Sequence, residues 1–164
     1  MRMSELAELY ESLGFTEVRT YVQSGNVVFS YATGDPASLA RRIEIRLKAR
    51  MNLDVTVLVR TPGELGRLVD RNPFTNKEQS RLYVTFLSKK PDHIPTEKID
   101  AARGQGEEFH IFEREVSLFL PYGSGRTKLS NSFFEKTLDV RATTRNWNTV
   151  TTLLKMAKPG SVRS

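Results

Sequence analysis

Two stretches near the start of the chain carry apolar side chains every three or four positions, the spacing of an amphipathic helix. The first runs from Met3 to Leu13, with glutamates off the apolar stripe and Gly14 placed to end it. The second follows Asp35-Pro36, where aspartate suits the helix cap and proline suits the first turn. The pattern therefore predicts two helices in the first third of the chain.

Strand patterns surround these helices. The β-prone residues 18–22 and 27–30 flank Ser24-Gly25-Asn26, which predicts a hairpin. Residues 54–60, DVTVLVR, follow the second helix and predict another strand. The predicted order in this part of the chain is helix, strand, strand, helix, strand.

A second series of elements follows a short helix predicted from Pro62 to Asp70. Its apolar and turn patterns predict a strand, a helix, two strands and two helices. In order, these elements have the sequences RLYVTFLS, PTEKIDAAR, EEFHIFERE, EVSLFLP, SNSFFEKTLD and a last helix from about Asn146 to Lys158.

Both series match a split βαβ, or ferredoxin-like, arrangement, in which two helices cover one face of a four-stranded antiparallel sheet. We therefore predict an α+β protein with two tandem ferredoxin-like halves. Residues 1–60 form the first half, residues 61–80 a connecting helix and loop, and residues 81–164 the second half with a C-terminal helix. The first half lacks its leading strand. Because that strand is central in such a sheet, we expect the true start of the protein to lie upstream of Met1.

Composition narrows the class of protein. The 164 residues are 38% hydrophobic and 27% charged, as in globular proteins. No apolar run approaches the ~20 residues of a membrane helix, and the acidic, amphipathic first residues are unlike a secretory signal. The chain has no cysteine, so it forms no disulfide and offers no thiolate ligand. We predict a cytoplasmic protein that has no membrane partner.

The net charge of +6 comes from one segment. Residues 1–120 contain 17 basic and 17 acidic side chains, whereas residues 121–164 contain eight basic and two acidic ones. A positive potential concentrated in this way favours phosphate-bearing or otherwise acidic partners. The alternative is a basic tail that only promotes solubility.

A glycine turn in this basic segment is the first candidate site. It follows a predicted strand and precedes a predicted helix, for which Ser132 and Glu135 have the spacing of a capping box. Glycines let backbone N–H groups turn towards an anion, and basic side chains add charge. The alternative is a turn that merely links strand to helix. The candidate anion-binding residues are Gly123, Ser124, Gly125, Arg126, Thr127 and Lys128.

The segment ATTRNWNTV supplies the other candidate residues. On the predicted last helix, Trp147 begins an apolar stripe, so we expect it to be a core residue. Thr143 or Thr144 is predicted to cap the helix. Arg145, Asn146 and Asn148 are then left for ligand contact, because arginine near a helix start calls for an acidic neighbour or ligand. The alternative is a salt bridge from Arg145 to Glu135 or Asp139.

Four stretches of the sequence resemble the bacterial family called domain of unknown function 1697. They are LYESLGFTEVRTYVQSGNVVF, NPF, YGSGRTKLSNSFFEKTL and ATTRNWNTV. The resemblance implies two tandem ferredoxin-like halves and, before the first helix, a strand and glycine loop that this sequence lacks. The family has no established activity, so the resemblance implies no reaction.

The sequence predicts no catalytic residue, metal site or cofactor. The two histidines, His93 and His110, lack metal-ligand spacing, and we expect His110 to face solvent. Our leading hypothesis is a binding protein whose basic C-terminal half recognises nucleic acid. The alternatives are an enzyme acting on a phosphorylated small molecule at the same turn, and a ligand-free interaction or dimerisation module. The sequence predicts no oligomeric state.

Overall fold

A computed structural model describes residues 3–21 and 25–157. The helices are α1 (Met3–Ser12), α2 (Pro36–Met51), α3 (Pro62–Arg71), α4 (Thr96–Ala102), α5 (Asn131–Leu138) and α6 (Trp147–Ala157). The strands are β1 (Thr16–Tyr21), β2 (Asn26–Ser30), β3 (Leu82–Leu87), β4 (Glu108–Phe112), β5 (Glu115–Phe119) and β6 (Ala142–Asn146).

The described residues divide into two compact units. One comprises residues up to Gly66 together with those from Thr151 onward, and the other comprises Arg67–Val150. The domain boundaries that we drew at residues 60 and 80 stay predictions.

The first unit contains the predicted hairpin and two helices. β1 and β2 pair antiparallel, and α1 and α2 enclose an apolar cluster in which Phe15 stacks on Phe29 at 4.5 Å between ring centroids. Asp35 caps α2 as predicted, because its carboxylate accepts a hydrogen bond from the Ser38 N–H at 2.7 Å. That bond holds the pKa of Asp35 below its ordinary value. The predicted turn residue Ser24 lies outside the described residues.

The strand predicted at residues 54–60 is wrong. These residues form no ladder with another described strand, and the Val57 N–H donates instead to a Glu44 carboxylate oxygen at 2.7 Å. Val57 and Val59 still pack against the cluster of the first unit. The apolar alternation therefore marked two valines that contact the core, although Val55 is exposed. A strand also needs a hydrogen-bonded neighbour.

The second unit is a four-stranded antiparallel sheet in the order β4-β5-β3-β6. Helices α4 and α5 cover one face of this sheet. Their apolar side chains Ile99, Phe134 and Leu138 join one buried cluster with Val116 and Leu118 of β5. This is the ferredoxin-like arrangement that the sequence predicts, and the chain is an α+β protein with two antiparallel sheets.

Two predicted helix starts differ from the structure. Residues 142–146 form the edge strand β6 rather than the approach to a helix, so neither Thr143 nor Thr144 is a cap. Instead, the hydroxyl groups of Thr144 and Thr85 form a hydrogen bond across the sheet, with 2.8 Å between their oxygens. Helix α5 is capped by Ser130 and not by Ser132, because the Ser130 hydroxyl accepts the Phe133 N–H at 3.2 Å. Threonine suits both helix caps and strands, and at Thr143 and Thr144 the pairing with β3 determines the structure.

The last helix matches its prediction closely. Trp147 and Val150 are buried at its start, and Leu154 and Ala157 further along, which confirms the apolar stripe. Within residues 3–21 and 25–157, every helix is too short or too polar to cross a lipid bilayer.

Candidate functional site

Three chain segments meet at one end of the four-stranded sheet. β5 and β6 both run antiparallel to β3, so their C-terminal ends lie beside the N-terminal end of β3. The Leu120 N–H donates to the Arg81 carbonyl at 2.9 Å, which extends the β3–β5 pairing beyond the strands. Asn146, the last residue of β6, lies opposite Tyr83. The glycine turn after β5 and the start of α6 therefore lie at the same end of the sheet.

The glycine turn is tight at its first glycine and open afterwards. The Gly123 N–H donates to the Leu120 carbonyl at 3.0 Å, and Gly123 has a φ of +83°, a conformation that favours glycine. Gly125 shows no such constraint and has open space around it. Ser124, Gly125, Arg126 and Lys128 are all exposed.

Arg81 joins this turn, and the sequence did not single it out. A Cβ built on Gly123 would lie 3.5 Å from the Arg81 guanidinium nitrogen Nη1. Arg81 ends a short 3-10 turn, Gln79–Arg81, directly before β3. The predicted topology could have identified Arg81, because in a ferredoxin-like sheet the first strand begins beside the end of the third strand.

The three cations around the turn have no acidic partner in the part of the chain that the structure describes. Among residues 3–21 and 25–157, Arg81, Arg126 and Lys128 form no ion pair with a carboxylate. In the same described residues, no three His, Cys, Asp or Glu side chains cluster in a way that could hold a metal ion. This end of the sheet therefore presents cationic side chains whose chemistry suits contact with negative groups.

Thr127, another candidate, is bound to the protein itself. Its hydroxyl donates to the carboxylate of buried Glu107 at 3.0 Å and accepts the Leu129 N–H at 3.0 Å. The same Glu107 oxygen accepts the Gly104 N–H at 2.7 Å. Thr127 thus fixes the C-terminal side of the turn to the loop before β4.

Arg145 lies one residue inside the end of β6, paired with Val84 of β3. Its guanidinium nitrogen Nη1 donates to the Thr143 hydroxyl and to the Thr144 carbonyl, both at 2.9 Å. Partial burial holds the pKa of Arg145 below its ordinary value, although an arginine remains protonated at neutral pH. Arg145 is therefore less exposed to solvent than Arg126 and Lys128.

The two candidate asparagines differ in what they do. The side-chain oxygen of Asn146 accepts the Thr149 N–H at 2.8 Å, so Asn146 caps α6. Asn148 is exposed in the first turn of that helix. Of the predicted residues, the structure brings the glycine turn, Asn146 and Asn148 to one end of the sheet and adds Arg81 to them.

Replacing Gly123 with alanine should destabilise the protein by about 1–2 kcal/mol, because a residue with a side chain is strained at the positive φ of this position. The matched control is Gly125→Ala, at a position with ordinary φ and open space. It should change the free energy of unfolding by less than about 0.5 kcal/mol. Urea unfolding followed by circular dichroism measures both. Equal effects would contradict the special geometry of Gly123.

Comparison with known proteins identifies the family. The model of the family of proteins of unknown function called DUF1697 matches residues 1–116, a range that includes Arg81 but ends before the glycine turn. A solved structure of the conserved bacterial protein SP0830 from Streptococcus pneumoniae is similar in fold. It has a TM-score of 0.66 and 18% identity over 96% of this chain and 89% of that one. Among curated proteins, none matches the chain. The family model covers more than half of the sequence, and the chain therefore belongs to the DUF1697 family.

Proposed function

We propose that this protein binds nucleic acid, in the cytoplasm, through the end of its four-stranded sheet. The observation that supports this proposal most directly is the position of Arg81 beside the Gly123 turn, next to exposed Arg126 and Lys128. These cations come from distant parts of the sequence and lie in one region of the fold. Cations that form no ion pair within the described residues attract phosphates, and binding then releases the counterions of the phosphates.

The exposure of the turn favours a large partner over a small one. Ser124, Arg126 and Lys128 project from the surface, where a phosphodiester backbone can lie across them. Nothing in this geometry reads the bases, so we propose contacts to phosphate and sugar with little sequence preference. The Ser124 hydroxyl supplies a neutral hydrogen-bonding group in the same turn as Arg126 and Lys128.

The proposal predicts binding that depends steeply on salt. A fluorescently labelled single-stranded RNA of about 20 nucleotides is titrated with the protein, and anisotropy is measured at several salt concentrations. Three phosphate contacts should give a slope of log K against log salt of about −2. Absence of binding to this RNA and to a DNA duplex of the same length, or binding that ignores salt, would remove the proposal. Binding of pyrophosphate without binding of either oligonucleotide would favour the phosphorylated small molecule instead.

The double variant Arg126→Gln/Lys128→Gln should lose about tenfold to a hundredfold in affinity, and its salt slope should become shallower by about 1.5. The matched control is Lys89→Gln/Lys90→Gln, which removes the same charge from two exposed residues that follow the other end of β3. The control should bind nearly as well as the unchanged protein. An equal loss in both variants would show a general charge effect rather than a site at the turn.

A further inference from the structure

Among the described residues, the strand β4 forms one edge of the four-stranded sheet. β4 pairs with β5 on one side, and no other strand among the described residues pairs with it. An unpaired edge presents a row of backbone N–H and C=O groups that can bind another strand.

The register shows which backbone groups point outward. A two-residue loop joins Phe112 to Glu115, so these two residues form a hydrogen-bonded pair. Hydrogen-bonded and non-hydrogen-bonded pairs alternate along antiparallel strands. His110 therefore bonds to β5, whereas Phe109 and Ile111 direct their N–H and C=O groups away from it. The Leu120-to-Arg81 bond between β5 and β3 fits the same alternation.

A groove of about 470 Å³ runs beside this edge, between β4 on one side and α4 with its flanking residues on the other. Phe109 and Ile111 line it from the strand, and Ile94 and Thr96 line it from the segment that leads into the helix. Ile94 is 38% exposed, which makes it one of few large apolar side chains at the surface of the described residues. An edge strand with apolar side chains beside an open groove is suited to strand addition.

We infer that the partner at this edge is β4 of a second copy, paired antiparallel about a twofold axis through His110. In this register Phe109 of one copy faces Ile111 of the other, and both have their backbone groups directed outward. Each of the two symmetric pairs exchanges two backbone hydrogen bonds. The paired Phe109 and Ile111 side chains lie on the groove side of the sheet and cover Ile94. Both residues of each pair are apolar, and this complementarity favours a second copy as the partner over an unrelated peptide.

Charges on the other face of β4 agree with this register. It places Glu108 of one copy opposite Phe112 of the other. The Arg71 guanidinium stacks on the Phe112 ring, 4.3 Å from its centroid. The Glu108 carboxylate is 43% exposed, with Lys77 at 3.5 Å. Each Glu108 would thus face a cation of the other copy, and the twofold axis makes this contact twice.

Analytical ultracentrifugation of the whole chain tests the inference. The unchanged protein should show a concentration-dependent dimer at up to about 200 µM. His110 is exposed, and the axis places it opposite its own copy, with Cα atoms about 4.5 Å apart. His110→Glu should therefore weaken the dimer by at least about tenfold, as should His110→Lys, because like charges then oppose each other. An equimolar mixture of the two variants should regain the dimer as a heterodimer.

A matched control adds the same negative charge elsewhere. Gln79→Glu, at an exposed position before β3, should leave the dimer unchanged, and thermal unfolding should show that the His110 variants remain folded. A monomer at the highest concentration would overturn the inference, and so would a dimer that tolerates His110→Glu. Failure of the mixed variants to associate would also overturn it, because that result excludes an axis at His110.

Discussion

Replacing Phe134 with alanine is expected to lower the free energy of unfolding by about 3–5 kcal/mol, the largest effect that we predict for a single residue. Phe134 lies on α5 and is fully buried in the cluster between the helices and the sheet. Its removal loses the transfer free energy of the ring and leaves a cavity that closely packed neighbours cannot fill. Urea unfolding followed by circular dichroism measures the change.

The neighbouring Phe133 provides the control for this variant. It is half-buried and contacts Phe134 edge to face, with ring centroids 5.5 Å apart. Phe133→Ala removes the same atoms from a site that water already reaches, so the loss should be roughly 1–2 kcal/mol. Equal losses for the two variants would show that α5 does not present Phe134 to the core as the structure has it.

Replacing Glu107 with alanine is expected to cost about 2–4 kcal/mol, because a buried acceptor for two hydrogen bonds disappears. The Gly104 N–H and the Thr127 hydroxyl would both lose their partner. Glu107→Gln keeps a side-chain oxygen as acceptor and should recover more than half of the loss. The measurement is again urea unfolding, with the fluorescence of Trp147, the single tryptophan, as a second signal.

Glu108 is the matched control for Glu107. It is the next residue along the chain, but its carboxylate is 43% exposed, and within the described residues its ion-pair partner is Lys77, at 3.5 Å. Glu108→Ala should change the free energy of unfolding by no more than about 1 kcal/mol, as exposed salt bridges contribute little. A loss from Glu108→Ala as large as that from Glu107→Ala would contradict the network around Thr127.

Much of the fold could be predicted because local chemistry and burial agree in most elements. The stripe of α6 and the Asp35 cap of α2 are examples, since each needs only neighbours along the chain. The strand predicted at residues 54–60 failed because strand formation depends on a pairing partner far away in the sequence. β6 was missed because its threonines also suit the cap of a helix.

The candidate site was predictable only in part, for a related reason. The turn at Gly123 has a local signature, and its glycine does adopt the left-handed conformation. Arg81 has no such signature, and antiparallel pairing alone carries it to the turn. The hydrogen bond from Thr127 to Glu107 could not be predicted either, because the sequence does not show that the loop before β4 lies beside the glycine turn.

The central position of β3 has a consequence for the order of folding. Thr85 of β3 bonds to Thr144 of β6 over a separation of 59 positions, so this pairing must close a long loop. During synthesis, β3 leaves the ribosome well before β5 and β6 can flank it. The region around Arg81 therefore takes its final shape only once Asn146 has emerged and β6 can pair with β3.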